Sequence, residues 1–184
     1  MTGSTLTVEP LNGSRFGLIA DAHVHPGGGP ELPAAVLEAF AGVDGVFALG
    51  DMGDAAGLDA LEAVAPVYAV RGADDAEDDP RRVAERRVFI HGGRFIGAVF
   101  DGTRHGLLES NDPVTAVSGF ATAARTTFGH PVSIVLCAAS HKPFVGWCDG
   151  ILLVNPGSPN LADECTVALL HLAEDHAGVQ HVTL

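Results

Sequence analysis

Lysine is almost missing from this chain: Lys142 stands alone beside nine arginines, against 23 acidic residues, for a formal net charge of −13. No broad nucleic-acid surface is expected, because neutralising phosphates takes clustered Lys and Arg. Cysteine is scarce too. Cys137, Cys148 and Cys165 are odd in number and contain no Cys-x-x-Cys pair, which argues against a disulfide framework and a thiolate zinc site. Apolar runs stop well short of a membrane span, and the first residues lack a basic start followed by an apolar stretch. A cytoplasmic protein without membrane contact is therefore expected. An acidic chain can still take a phosphorylated ligand when a cation sits in the site, since the ion is then the largest local charge.

What the chain does have is enough apolar material for a core. Its 184 residues, 47% hydrophobic and 18% charged, predict one ordered domain over 1–184, with 1–14 a loose lead-in. Strands are expected over 16–20, 44–49 and 67–70, alternating with helices over 32–42 and 58–65. Each strand runs into polar residues: Asp21-Ala-His23-Val-His25, Gly50-Asp51-Met-Gly-Asp54, and Arg71-Gly72-Ala73-Asp74-Asp75. Residues 75–82 read as a solvated charged turn, and His91-Gly92-Gly93 as the turn of a hairpin.

Asp112-Pro113 suggests a helix cap, with Val114, Val117, Phe120, Ala124 and Phe128 as the apolar stripe of that helix. Strands over 132–137, 144–148 and 151–154 follow, then the loop Asn155-Pro-Gly-Ser-Pro159 and a closing hairpin. Strands that alternate with helices pair in parallel, with their C-terminal ends on one side, where open α/β sheets hold their ligands. Asp21, Asp51 and Asp74, with Asp54 and Asp101, are expected to converge there. Like charges held together destabilise a fold unless a cation neutralises them. An empty acidic pocket is the alternative.

Asp-x-His, Gly-Asp-x-x-Asp, Arg-Gly-x-x-Asp, a strand ending in Asp101-Gly102, His141-Lys-Pro and Asn-Pro-Gly-Ser-Pro occur in one order over 21–159. This ordered set resembles the calcineurin-like metallophosphoesterases, in particular their small bacterial phosphodiesterase branch. The resemblance implies an α/β fold in which a two-sheet β-sandwich is flanked by helices, a four-layer αββα arrangement, with divalent metals at the strand ends. One metal of that family takes the Asp and His of Asp-x-His, the Asp of Gly-Asp and the last His of Gly-His-Thr-His, here Asp21, His23, Asp51 and His141. The other shares the Gly-Asp carboxylate and adds an Asn and two His, positions that read Ala73, Asp101 and Ala139 here. One ion rather than two is expected, and Asp101 is the remaining candidate for a second. His105, in the literal His-Gly pair, is an alternative to Asp101, and His25 is a loop residue or a substitute ligand.

By the same resemblance the chain is a phosphoesterase for a phosphodiester or small phosphorylated substrate, using a metal-activated water. Manganese leads among the metals, with zinc, iron and magnesium as alternatives. Asp74 falls at the position of the family's catalytic acid, and Arg71 is placed to hold the phosphate. A second possibility is a binding or scaffold protein with an impaired site, as in the retromer's phosphoesterase-like subunit. A third takes Asp-x-His-x-His as the metal motif of an amidohydrolase or PHP-type barrel, although such barrels need about 250 residues. A homo-oligomer or protein partner stays open.

Overall fold

A computed structural model describes residues 6–25, 27, 31–77, 79–82, 84–110 and 115–184. The chain begins with β1 (Val8–Pro10), β2 (Arg15–Ile19), α1 (Ala34–Ala39), β3 (Gly45–Ala48), α2 (Ala55–Glu62) and β4 (Val67–Ala69). A 3-10 turn over Pro80–Arg82 leads to β5 (Arg86–His91), β6 (Arg94–Val99), α3 (Phe120–Phe128) and β7 (Ile134–Leu136). β8 (Pro143–Cys148), β9 (Ile151–Pro156), β10 (Thr166–Leu172) and β11 (Ala177–Thr183) complete it.

Two sheets result, one of five strands in the order β11-β10-β2-β3-β4 and one of six in the order β1-β5-β6-β7-β9-β8. Side chains that alternate along each strand sort into two faces. Leu18 and Phe47 of the first sheet meet Phe89, Ile96, Leu136 and Val154 of the second in the central core. Ile19, Val46 and Ala48 point the other way, under Val36 and Phe40 near α1 and Leu58 and Leu61 of α2. Phe120, Ala124 and Phe128 of α3 cover Val88, Val99, Val135 and Leu153 on the far side. The layers therefore run αββα, as the family resemblance implied. Two separate sheets exclude the barrel alternative.

Close approach of the covering helices requires glycine on each sheet. A Cβ on Gly97 would stand 2.6 Å from the Phe128 ring, and one on Gly17 would stand 2.8 Å from Phe40. Phe128 is fully buried at that contact. Phe128→Ala is expected to cost about 3–5 kcal/mol, seen as a lower urea midpoint with an unchanged slope.

Several expectations are corrected. The lead-in is not loose throughout: β1 pairs in parallel with β5, Val8 opposite Val88, and Leu11 is buried. The third helix begins later than expected, because Gly119 takes a left-handed conformation (φ 73°) directly before Phe120. Val117 thus precedes the helix, while Asp112-Pro113 and Val114 lie outside the described residues. Asn155 and Pro156 belong to β9 rather than to a loop. Part of the 26–30 loop also lies outside the described residues.

The segment expected as a solvated turn, of which residue 78 is not described, is anchored in the interior. Arg82 is 2% exposed, and it donates to Asp75 Oδ1 (3.3 Å) and to the Gly53 carbonyl. Asp75 also accepts from the backbone N–H groups of Gly53 (3.0 Å) and Gly72 (2.8 Å). This carboxylate ties together the loops that follow β3 and β4. Among the described residues no helix is long and apolar enough to cross a membrane.

Candidate metal centre

β2, β3 and β4 are parallel, so the residues just after them share one edge of the sheet. Asp21 follows β2 and is fully buried, and among the described residues neither carboxylate oxygen has a hydrogen-bond partner of ordinary geometry, the His141 backbone N–H exerting only the weakest of the pulls on it. His23 Nε2 is likewise buried without a partner. Buried polar atoms are nearly always hydrogen-bonded, so three orphaned acceptor atoms at one point need a ligand to explain them. His141, in the loop after β7, brings its Nε2 to 3.8 Å from Asp21 Oδ1. Asp21, His23 and His141 each offer one donor atom within 4.8 Å of the others. Asp51 stands beside this group rather than within it, its Oδ2 3.9 Å from His23 Nε2.

Backbone conformation marks the same residues. Asp21 (φ 52°), His23 (45°), Asp51 (50°) and His141 (58°) all lie in the left-handed region. That region is uncommon outside glycine, costs about 1–3 kcal/mol for each residue held there, and clusters at functional sites. Ala139, at one of the missing ligand positions, keeps the same conformation (φ 67°) although it has no donor atom.

Hydrogen bonds to the far ring nitrogens set which atom faces the cluster. His141 Nδ1 lies 3.2 Å from the Leu161 carbonyl, so it carries the proton and leaves Nε2 as the acceptor. His23 Nδ1 lies 2.9 Å from Asp74 Oδ2, with the same consequence. Asp51 Oδ1 accepts from the Asp74 backbone N–H at 2.7 Å. Burial pushes the Asp21 carboxyl up to about 7, against the pull of His141, with the Asp51 charge raising it further. Burial also raises Asp51, and the Asp74 N–H opposes that shift.

Other predicted residues are placed differently. Asp54 does not converge on the cluster; its Oδ1 accepts from the Ala56 N–H and caps α2. Asp101 belongs to neither described ligand cluster, and its Oδ1 accepts from the N–H groups of Thr103 (2.8 Å) and Arg104 (3.1 Å). His105 lines a recess with Arg71, Ala73 and Asp101, where burial and the Arg86 charge hold its pKa below the usual histidine value. His25 joins His23 and Asp74 in a second, more exposed donor group. Arg71 is engaged by Glu77 (2.7 Å) and Glu85 (3.3 Å).

Support residues in the 155–161 segment had no assigned role in the sequence. Ser158 Oγ donates to the Asp21 carbonyl (2.7 Å) and accepts from the Leu161 N–H (2.9 Å), so one buried hydroxyl links the backbones behind Asp21 and His141. Asn160 Nδ2 donates to the Ala22 carbonyl (2.7 Å) and Asn155 Nδ2 to that of Ala138 (3.2 Å). Asn155 and Ser158 belong to the Asn-Pro-Gly-Ser-Pro motif, and Asn160 directly follows it.

The two-sheet fold and the Asp21, His23 and His141 donor group, with Asp51 beside it, suit the class of two-sheet metallohydrolases. A family model for the calcineurin-like phosphoesterase superfamily domain matches residues 15–175, and the chain belongs to that family. Its class is that of the metallophosphoesterases, hydrolases acting on phosphoric ester bonds. A probable metallophosphoesterase of Methanocaldococcus jannaschii is 32% identical over 150 residues, covering 79% of this chain and 68% of the relative. Among solved structures, Vps29 of Entamoeba histolytica in complex with zinc aligns with a TM-score of 0.67 at 19% identity, over 92% of this chain and 98% of that one. An archaeal phosphodiesterase aligns with a TM-score of 0.67 at 16% identity, over 92% and 99%.

Proposed function

We propose that the protein is a metal-dependent phosphoesterase of the cytoplasm, acting on a phosphodiester or small phosphorylated substrate as a single domain. One divalent ion, manganese, is held by Asp21, His23, Asp51 and His141. The observation that carries this reading is the set of buried acceptor atoms without partners, Asp21 Oδ1 and Oδ2 and His23 Nε2. Two carboxylates with two imidazoles suit manganese, with zinc or iron as the competing outcomes. When bound, such an ion supplies Lewis acidity toward a phosphoryl oxygen and acidifies a water in the site.

The chain's own groups do the rest. Asp74 holds the His23 ring through Nδ1, and its side chain, 58% exposed, faces solvent where a leaving oxygen would take a proton. Arg71, paired with Glu77 and Glu85 at the wall of the recess, would help to hold the phosphate. Hydrolysis of an activated aryl phosphodiester with manganese tests the reading. Asp51→Asn is expected to lower the rate at least a hundredfold; no turnover by the parent protein, or none lost in the variant, would sink it.

Ala73 and Ala139 favour a second reading, a phosphoesterase-like binding protein. Ala73→Asn, Asp101→His and Ala139→His together separate the two. A large gain in metal content and turnover means that the natural chain lacks a working two-metal site and points to the binding protein; no gain means that the present ligands suffice or that these are not the family's ligand positions.

A further inference from the structure

Two of the altered second-site positions, Ala73 and Asp101, border a recess whose wall also includes Arg71, Glu85, Arg104 and His105. Its volume, about 20 Å3, admits one oxygen-sized group. The recess adjoins the metal centre through Gly72, where an added Cβ would stand only 2.2 Å from Asp51 Oδ1. Asp101 caps the turn that carries Arg104, accepting the Arg104 N–H at 3.1 Å. Two guanidiniums therefore border the space, with Glu85 between them at 3.3 Å from Arg71 and 3.5 Å from Arg104. The Arg104 side chain is 66% exposed, free enough to turn from Glu85 toward an incoming anion.

We propose that Arg104, assisted by Arg71, takes the place of a second cation, and that the recess receives a non-bridging oxygen of the substrate's phosphoryl group. This inference rests on the phosphoesterase reading. A second metal would neutralise phosphate charge, and a guanidinium does so with several donors in a planar fork and no need for ligands. Its permanent charge suits a position where Ala73 leaves a methyl group in place of a ligand. Glu85 balances the pair while no anion is present, which keeps two like charges tolerable at one edge.

The test is the affinity of manganese-loaded protein for inorganic phosphate, measured by calorimetry. Arg104→Ala is expected to weaken binding about ten- to hundredfold and Arg104→Lys by less, with manganese content unchanged. Equal affinity in the parent and Arg104→Ala would overturn the proposal, as would a second manganese ion per chain. If phosphate binding depends on Arg104 but the parent hydrolyses no phosphodiester, the phosphoesterase reading fails while the anion recess stands. If hydrolysis is found and phosphate binding ignores Arg104, only the arginine's role is lost.

Discussion

Asp21→Asn is expected to stabilise the chelated protein at pH 8 while abolishing its response to metal. The Asp21 carboxyl is fully buried, with both oxygens unpartnered among the described residues, and burial pushes its pKa from the ordinary 3.8 up to about 7. A carboxyl that binds its proton more tightly when folded makes the fold lose stability as the pH rises. Below about pH 4 it is protonated in both states and has no effect. Between about 4 and 7 the unfolded chain releases the proton first, and above about 7 the full cost is present. Roughly three pH units at about 1.4 kcal/mol each give about 4 kcal/mol at most.

Chelated protein should therefore melt lower at pH 8 than at pH 5, and metal should restore most of the difference. Asparagine keeps the shape without the charge. In the variant the pH 8 loss shrinks, metal no longer raises the melting temperature, and near pH 4 the two chelated proteins behave alike. Equal pH profiles of the chelated parent and variant would show that Asp21 carries no buried charge.

Asp75→Ala is expected to destabilise the fold by about 3–5 kcal/mol although Asp75 is outside the ligand set. Its two oxygens accept from the Gly53 and Gly72 N–H groups and from the buried Arg82 guanidinium. Truncation withdraws the carboxylate from that guanidinium and an acceptor from two backbone donors, each costly when water is excluded. Replacing a buried ion pair with apolar groups is often nearly neutral, so Asp75→Ala with Arg82→Met should recover part of the loss. Chemical denaturation reads both. A single variant within about 0.5 kcal/mol of the parent would contradict the anchoring role. Because this pair joins the loops that carry Asp51 and Asp74, the destabilised variant should also bind metal more weakly.

Most strands and the flanking helices were legible because period-two and helical apolar patterns survive in them, from Phe16 and Leu18 to Phe120 and Phe128, whereas the two-sheet sandwich came from the family resemblance. Asp21, His23, Asp51 and His141 could be singled out because parallel strands deliver their ends to one edge, and the order of the motifs resembled a known family. What stayed hidden depends on contacts between distant segments. β1 has three residues, too short for a periodic signal, and is held by pairing with β5. Asp75 and Arg82 look like part of a solvated charge run until the fold buries them against Gly53. The bond from Asp74 to His23 spans two loops and follows from their backbone paths. Gly119 likewise looks compatible with a helix, and only its left-handed backbone shows where α3 starts.

Elemental analysis of the chelated protein after reconstitution with manganese and removal of excess ion tests the central claim most directly. About one ion per chain is expected in the parent protein and almost none in Asp21→Asn. Two ions per chain, none in the parent, or undiminished binding in the variant would contradict it.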